Sequence, residues 1–191
     1  MRPGTATLLA FGLSACGSGP PPQPEPGTPL EFAGGSVEMP LGADWRLVER
    51  QPDIVVFERR LDAPGHVLVA IAQVFPFEFE DLEECRASLH RDVYVETPLH
   101  RDPHGSVEIV EDASPPYVRV RYSARESATP DPDANWERLD SEFRWYLRPG
   151  DRRGIMLSFA ERRPEGSQAA AYEGQKRLYF GSFRPASVAA R

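Results

Sequence analysis

Cysteine and histidine are scarce in this chain of 191 residues, and cationic residues are fewer than acidic ones. It holds two cysteines and four histidines, and 29 acidic residues outnumber 22 lysines and arginines, for a formal net charge of −7. Two cysteines exclude a disulfide-dense scaffold, and so few cysteines and histidines argue against a zinc module. The acidic balance argues against a nucleic-acid binder, which needs a basic face. The length and the 40% hydrophobic content suit one ordinary folded domain.

The sequence motifs of catalysis and nucleotide binding are also missing. The chain contains no G-x-S-x-G nucleophile elbow, no phosphate-binding P-loop and no G-x-G-x-x-G fingerprint. Carboxylates are plentiful, but pairing them for acid–base chemistry needs a geometry that sequence spacing does not supply. We therefore predict a protein that is not an enzyme, with no catalytic residue, no metal and no cofactor.

The first sixteen residues have the order of an export signal. One positive charge at Arg2 precedes an apolar run from Ala6 to Leu13, and the run ends in Leu-Ser-Ala followed by Cys16. This ending resembles the lipobox of bacterial lipoproteins, which implies cleavage before Cys16 and a lipid on its sulfur. The apolar run is far shorter than the roughly 20 residues that span a bilayer. The alternative is a leader in which a cysteine merely follows these small residues.

The segment after Cys16 is dominated by proline. Residues 17–29 read GSGPPPQPEPGTP, and proline favours an extended conformation of about 3 Å per residue, which gives a spacer of about 30 to 40 Å. A proline-rich ligand for a peptide-binding module is the other interpretation. We predict a signal peptide at 1–15, a lipidated cysteine and tether at 16–29, and a single domain at 30–191.

From Leu30 onward, short apolar runs bounded by glycine, proline and aspartate are typical of β-strands. The predicted strands are 37–40, 45–48, 54–59, 67–75, 106–110, 117–125, 137–147 and 154–161. The strand 67–75 is apolar on both faces, so we place it centrally in the sheet. The polar segment 128–135 between two long strands predicts a surface loop.

Two segments predict helices that cover this sheet. Apolar residues spaced by three and four positions, after an acidic start, predict a helix over 79–93. The second helix is predicted to open at Gly166, with Ser167 as its cap. Four strands, a helix, four more strands and a helix predict an α+β fold, in which helices pack on a mainly antiparallel sheet.

Several packing motifs resemble the PsbP/Mog1-like superfamily, over roughly 32–185. They are VEMP at 37–40, Trp45, IMLSFAE at 155–161 and YFGSF at 179–183. The resemblance implies an α/β/α sandwich with the last helix packed across the sheet. It implies no catalytic residue, because members of the superfamily act as accessory, assembly, transport or adaptor subunits and as envelope lipoproteins. A likeness of fold supports binding or assembly and nothing finer.

Histidines and a cysteine offer the best alternatives to a non-catalytic protein. His100 and His104 form the most metal-like cluster, but nearby prolines prevent a helix there, so we predict solvated loop histidines. Cys85 lies on the apolar stripe of the first predicted helix, and His90 is turned about 140° away from it. We therefore predict that Cys85 is a small buried hydrophobic residue and not a nucleophile.

Three arginines, Arg119, Arg121 and Arg125, share one face of a predicted strand whose other face is apolar. The neighbouring strand offers acidic residues on its polar face, so a solvated surface laced with cross-strand ion pairs is one interpretation. The other is a surface for an anion or an envelope protein partner, joined by Arg138 and Arg148.

These observations predict an extracytoplasmic protein, anchored by its amino-terminal lipid to a bacterial membrane. The outer membrane is favoured where one exists, because Gly17 stands where an aspartate would resemble an inner-membrane retention signal. The leading functional hypothesis is a non-catalytic binding or assembly factor with an envelope partner. The alternative is a module that binds a small ligand or a metal between the sheet and a helix.

Overall fold

A computed structural model describes residues 22–42, 44–93, 100–127, 136–148 and 150–186. The predicted signal peptide, Cys16, the first part of the tether and the predicted loop 128–135 lie outside the described residues. The described chain forms ten strands and two helices. They are β1 (Pro29–Phe32), β2 (Gly35–Glu38), β3 (Arg46–Gln51), β4 (Ile54–Arg60), β5 (Val67–Glu78), α1 (Leu82–Asp92), β6 (His100–Val110), β7 (Tyr117–Glu126), β8 (Glu137–Leu147), β9 (Arg153–Pro164), α2 (Glu173–Ser182) and β10 (Arg184–Pro185).

Seven strands form one antiparallel sheet in the order β3-β4-β5-β9-β8-β7-β6. A second, small sheet has the order β1-β2-β10. The predicted α+β fold with a mainly antiparallel sheet is therefore confirmed. The apolar strand β5 pairs with β4 on one side and with β9 on the other, as its sequence predicted.

Alternation along the strands divides the core between the two faces of the large sheet. On one face, which we call the α1 face, Cys85 of α1 packs with Val118 and Trp145. On the opposite face, which we call the α2 face, Tyr179 of α2 contacts Phe57 and Phe159. Each helix therefore has its own apolar cluster.

The two faces are covered over different halves of the sheet. On the α1 face, α1 packs chiefly on β6, β7 and β8. On the α2 face, α2 and the small sheet pack on the side of β4, β5 and β9. This leaves some apolar side chains half-buried on the α1 face, among them Val69, Phe75 and Ala160. On the α2 face it leaves several charged side chains half-buried, among them Arg119, Arg125 and Arg144.

The second helix begins later than predicted. Ser167 does not cap it; its hydroxyl donates to the Pro164 carbonyl at 2.6 Å and closes a turn after β9. The backbone N–H of Ala170 then donates to the carboxyl group of Glu161 at 2.7 Å. This bond holds the segment after the turn against β9, so α2 starts only at Glu173.

All eight predicted strands are present, and β6 is much longer than predicted, since it starts at His100. The prolines near His100 and His104 predicted a loop there, because they prevent a helix. Pro103 is tolerated because β6 is the last strand in the described sheet and is bulged between Arg101 and His104, with Asp102 at φ 50°.

The proline-rich segment is attached to the other edge of the sheet. The amide of Gln23 donates to the Leu47 carbonyl at 2.9 Å and accepts from the Leu47 N–H at 2.8 Å. Leu47 lies in edge strand β3, next to a bulge. One side chain thus takes the place of a neighbouring strand at this residue.

Candidate functional site

A cavity of about 600 Å³ lies on the α1 face, between the uncovered half of the sheet and α1. Its apolar lining comes from β3, β4, β5, β8, β9 and α1. The main apolar residues are Val48, Val56, Leu61, Val67, Val69, Ile71, Phe75, Phe77, Phe79, Leu89, Leu139, Phe143, Trp145, Met156 and Ala160. We call this space the α1-face cavity.

Small side chains at the centre of the sheet make room for the cavity. Ser158 pairs across strands with Ile71 and Phe143, and Ala160 pairs with Val69 and Ser141. Directly opposed residues project from the same face, so the two serines and the alanine form a depression between larger neighbours. The Ser141 hydroxyl donates to the Tyr122 carbonyl at 3.3 Å.

Aromatic rings line one end of the cavity. Phe75 lies 4.8 Å from Trp145 between ring centroids, and Phe77 lies 5.0 Å from Phe75. Phe77 is 36% exposed, although its ring also stacks on Trp145 with an interplanar angle of 25°. An apolar surface so close to solvent is favourable for contact with an apolar ligand.

The opposite end of the cavity is polar. Arg162 donates to Glu126 at 2.8 Å and lies 3.5 Å from Glu137, and His100 lies 3.5 Å from Glu126. Burial by itself would raise the pKa of Glu126, but the hydrogen bond from His100 and the charge of Arg162 outweigh it, so the pKa lies below its usual value. Burial raises the pKa of Glu137, against the weaker attraction of Arg162.

The β4–β5 turn borders the same polar end. Arg60 donates to Glu58 at 2.6 Å, and Asp62 and His66 of the turn also line the cavity. Asp62 is exposed, and no arginine, lysine or histidine of the described chain lies within ion-pair distance of it. The cavity thus runs from an aromatic end to an end where carboxylates outnumber guanidinium groups.

Two groups with nucleophilic potential lie near the cavity. Cys85 is fully buried, and its burial raises its pKa to about 12, so the reactive thiolate is disfavoured. Burial, followed by the charge of Glu126, also raises the pKa of Tyr122 to about 12 and keeps its hydroxyl protonated. The predicted burial of Cys85 is therefore confirmed.

The predicted arginine surface lies on the α2 face, away from this cavity. Arg119, Arg121 and Arg125 share that face of β7, as predicted, but two of the three directly opposed residues on β8 are also arginines. Arg119 instead pairs with Glu108 on β6 at 2.9 Å, and Arg125 pairs with Glu165 at 3.0 Å. The cross-strand ion pair on this surface therefore joins β7 to β6 and not β7 to β8.

Arg121 differs from its two neighbours. It is exposed, lies opposite Glu142 across strands, and forms no salt bridge with a carboxylate in the part of the chain that the structure describes. It borders a groove of about 290 Å³ together with Ser106, Lys176 and Tyr172. Of the other arginines that the sequence grouped with it, Arg138 donates to Ser123 and Asp140, and Arg148 donates to Asp151.

A buried ionic network below this groove was not predicted. Glu161 is 0% exposed and receives hydrogen bonds from His66 at 2.7 Å and from Arg163 at 2.6 Å. Arg163 also contacts Asp140 at 2.8 Å. Burial by itself would raise the pKa of Asp140, but hydrogen bonds from Ser123 and Arg163 outweigh it and hold the pKa below its usual value. His66 is far from Glu161 in the chain, so the spacing of residues in the sequence does not predict this network.

The prediction of solvated loop histidines is wrong in part, because His100 and His104 both lie in strand β6 and only His104 is exposed. His100 is buried on the α1 face beside Glu126, and His104 is exposed on the α2 face beside Arg138. The bulge between them places their side chains on opposite faces, so the two rings cannot share a ligand. Within the described ranges, no group of three or more His, Cys, Asp or Glu side chains has a geometry suited to a metal ion.

Among the helices that the structure describes, none combines the length and apolar character needed to cross a membrane. No family model matches the sequence, and no curated protein matches it.

Proposed function

We propose that this chain is a non-catalytic binding protein of a bacterial envelope and that its ligand occupies the α1-face cavity. The carrying observation is the cavity of about 600 Å³, which is apolar along most of its lining and polar at one end. Small-molecule sites commonly have volumes of roughly 300–1,000 Å³, mostly apolar walls and a few oriented polar groups. The cavity therefore favours the small-ligand hypothesis over an assembly role alone.

The packing of the sheet also supports a binding site. A space-filling core would place large residues at the positions of Ser158 and Ala160, because voids in a closed interior cost stability. Small residues there keep space above strands β5, β8 and β9 on the α1 face, while Phe77 remains partly exposed at the rim. Filling this space with an apolar ligand would remove those surfaces from water.

The proposed location rests on the amino-terminal sequence. The charge at Arg2, the short apolar run and the lipobox-like ending at Cys16 support export and lipid attachment, and so an extracytoplasmic protein on a bacterial membrane. Gly17 favours the outer membrane where one exists. The packing of one helix on each face of the sheet supports an α/β/α sandwich and the PsbP/Mog1-like assignment.

The first test is whether the cavity takes up an apolar probe. A neutral naphthylamine dye, whose fluorescence rises in apolar surroundings, should bind the purified domain. Ser158→Leu, which places a larger side chain in the central depression, should weaken dye binding at least about tenfold, since roughly 1.4 kcal/mol suffices for that factor. Ser106→Leu, at an exposed position on the other face, is the matched control.

Circular dichroism and the melting temperature must show that both variants are folded. Equal dye binding by Ser158→Leu and the unmodified protein would overturn the cavity as the ligand site. A ligand that binds only the native state must also raise the melting midpoint, which gives a second readout free of dye artefacts.

The groove at Arg121 is a second candidate, for an acidic protein partner. Its support is an exposed guanidinium group whose two neighbouring arginines, Arg119 and Arg125, are already paired with carboxylates. Complementary charge mainly raises the rate and specificity of association. Capture of such a partner should depend on Arg121 and should be unaffected by Ser158→Leu.

A further inference from the structure

We infer that the ligand of the α1-face cavity is a single-chain lipid whose head carries an amine. This inference rests on the proposed function and adds the chemical class of the ligand. It follows from two features of the lining: the length of the apolar part, and the balance of charge at the polar end.

The apolar part of the cavity is long in one direction. Its lining follows β5 from Val67 to Phe75, which is eight residue steps, or about 26 Å at roughly 3.3 Å per residue. Neighbouring apolar residues from β4 and β9 accompany it, including Val56 and Met156. An extended hydrocarbon chain uses such a track more fully than a compact ring system does.

The polar end has an excess of negative charge. Three carboxylates line it, from Glu58, Asp62 and Glu126, against the two guanidinium groups of Arg60 and Arg162. Each arginine already bonds a carboxylate, Arg60 to Glu58 and Arg162 to Glu126. The carboxylate of Asp62 is therefore left uncompensated at the mouth of the cavity.

His66 and His100, which also line this end, do not cancel its excess of negative charge. His66 donates to Glu161, which lies on the other face, and His100 lies beside Glu126. A fatty-acid carboxylate placed here would meet Asp62 without a free cation to receive it. An ammonium group would instead be attracted to Asp62 and could donate to the Glu58 carboxylate at the same end.

Three probes of equal chain length separate these cases: a primary alkylamine, the corresponding alcohol and the corresponding fatty acid. Each is titrated below its micelle concentration against the dye-loaded protein at neutral pH and low salt. We expect the amine to displace the dye most effectively, about threefold to tenfold better than the alcohol, and the fatty acid least, because one nearby charge is worth about 1 kcal/mol in a watery setting. Added salt should shrink the preference for the amine.

Asp62→Asn should lower the affinity for the amine to that for the alcohol and leave the alcohol unchanged. Asp53→Asn, which removes an exposed carboxylate at the opposite end of β4, is the matched control and should change nothing. A fatty acid that displaces the dye best, or an amine preference that survives in Asp62→Asn, would overturn the inference while leaving the cavity as the binding site. Failure of all three probes, in a protein whose dye binding is insensitive to Ser158→Leu, would instead overturn the proposed function.

Discussion

At the scale of single residues, Glu161 is a buried carboxyl group that connects three separate segments of the chain. It is fully buried on the α2 face, and its carboxyl group joins His66, Arg163 and the backbone of Ala170. These contacts tie the β4–β5 turn, the end of β9 and the segment before α2 to one another. The sequence shows Glu161 only as a polar residue at the end of an apolar strand.

Replacement of Glu161 by alanine should destabilise the domain by about 3–5 kcal/mol, because it leaves the half-buried Arg163 and the buried His66 with fewer partners. The measurement is urea unfolding followed by circular dichroism. Glu83→Ala is the control, since Glu83 forms an exposed pair with Arg86, and such pairs contribute about 0–1 kcal/mol. Equal losses in the two variants would refute a structural role for Glu161.

At the scale of elements, the helical pattern in the sequence predicted α1 well but misplaced the start of α2. The acidic start and the apolar spacing predicted the helix, and Asp81 caps it by accepting from the Glu84 N–H at 2.8 Å. The same kind of argument misplaced the start of α2, because the bond from Ala170 to Glu161 competes with helix formation. Local signals locate a helix end only where no distant group binds the same backbone.

Loss of the α1 cap should weaken both the stability of the domain and dye binding in the cavity. Asp81→Ala should cost about 1 kcal/mol of stability, since an N-cap side chain satisfies a backbone N–H that is otherwise unpaired. Because Leu89 of α1 lines the cavity, the variant should also bind the dye more weakly under conditions close to the melting midpoint. Asp81→Ser, which keeps a capping oxygen, should restore both properties. If Asp81→Ala unfolds at the same urea concentration as the unmodified protein, the cap does not stabilise the helix.

At the scale of the whole molecule, the stability of the fold at acid pH should depend on Glu126, which joins β7 to His100 of β6 and to Arg162 of β9. The pKa of Glu126 is lowered in the folded protein, so the folded state keeps this carboxylate charged where the unfolded chain takes up a proton. The resulting stability is fully present above the ordinary glutamate pKa, at about pH 4.3, and is lost as the pH falls through the lower folded value.

Urea unfolding between about pH 6 and pH 3 tests this linkage. Over the lower part of that range, the free energy of unfolding should fall more steeply in the unmodified protein than in Glu126→Gln, which cannot lose a charge there. Glu108→Gln, which removes a half-buried pair with Arg119 on the α2 face of β6, is the control for loss of an ion pair that does not involve Glu126. Parallel curves for the unmodified protein and Glu126→Gln would contradict the lowered pKa.

The whole fold was more predictable than the site. Alternation along β7 and β8 reveals which side chains share a face, because strand geometry has a fixed period of two residues. The cavity depends on Ser141, Ser158 and Ala160 meeting across adjacent strands, and no spacing within the sequence encodes that register. In the same way, Arg119 could not be matched to Glu108 without knowing that β6 lies beside β7.

The hold of Gln23 on Leu47 has a geometric consequence for the whole molecule. It fixes the point where the amino-terminal chain leaves the domain at the β3 edge, whereas Arg121 lies five strands away on β7, roughly 24 Å at about 4.8 Å per strand. If that chain leads to a lipid, the β3 edge is the side of the sheet nearest to the membrane. Arg121 then lies near the side of the sheet that is far from the membrane, with its side chain on the α2 face.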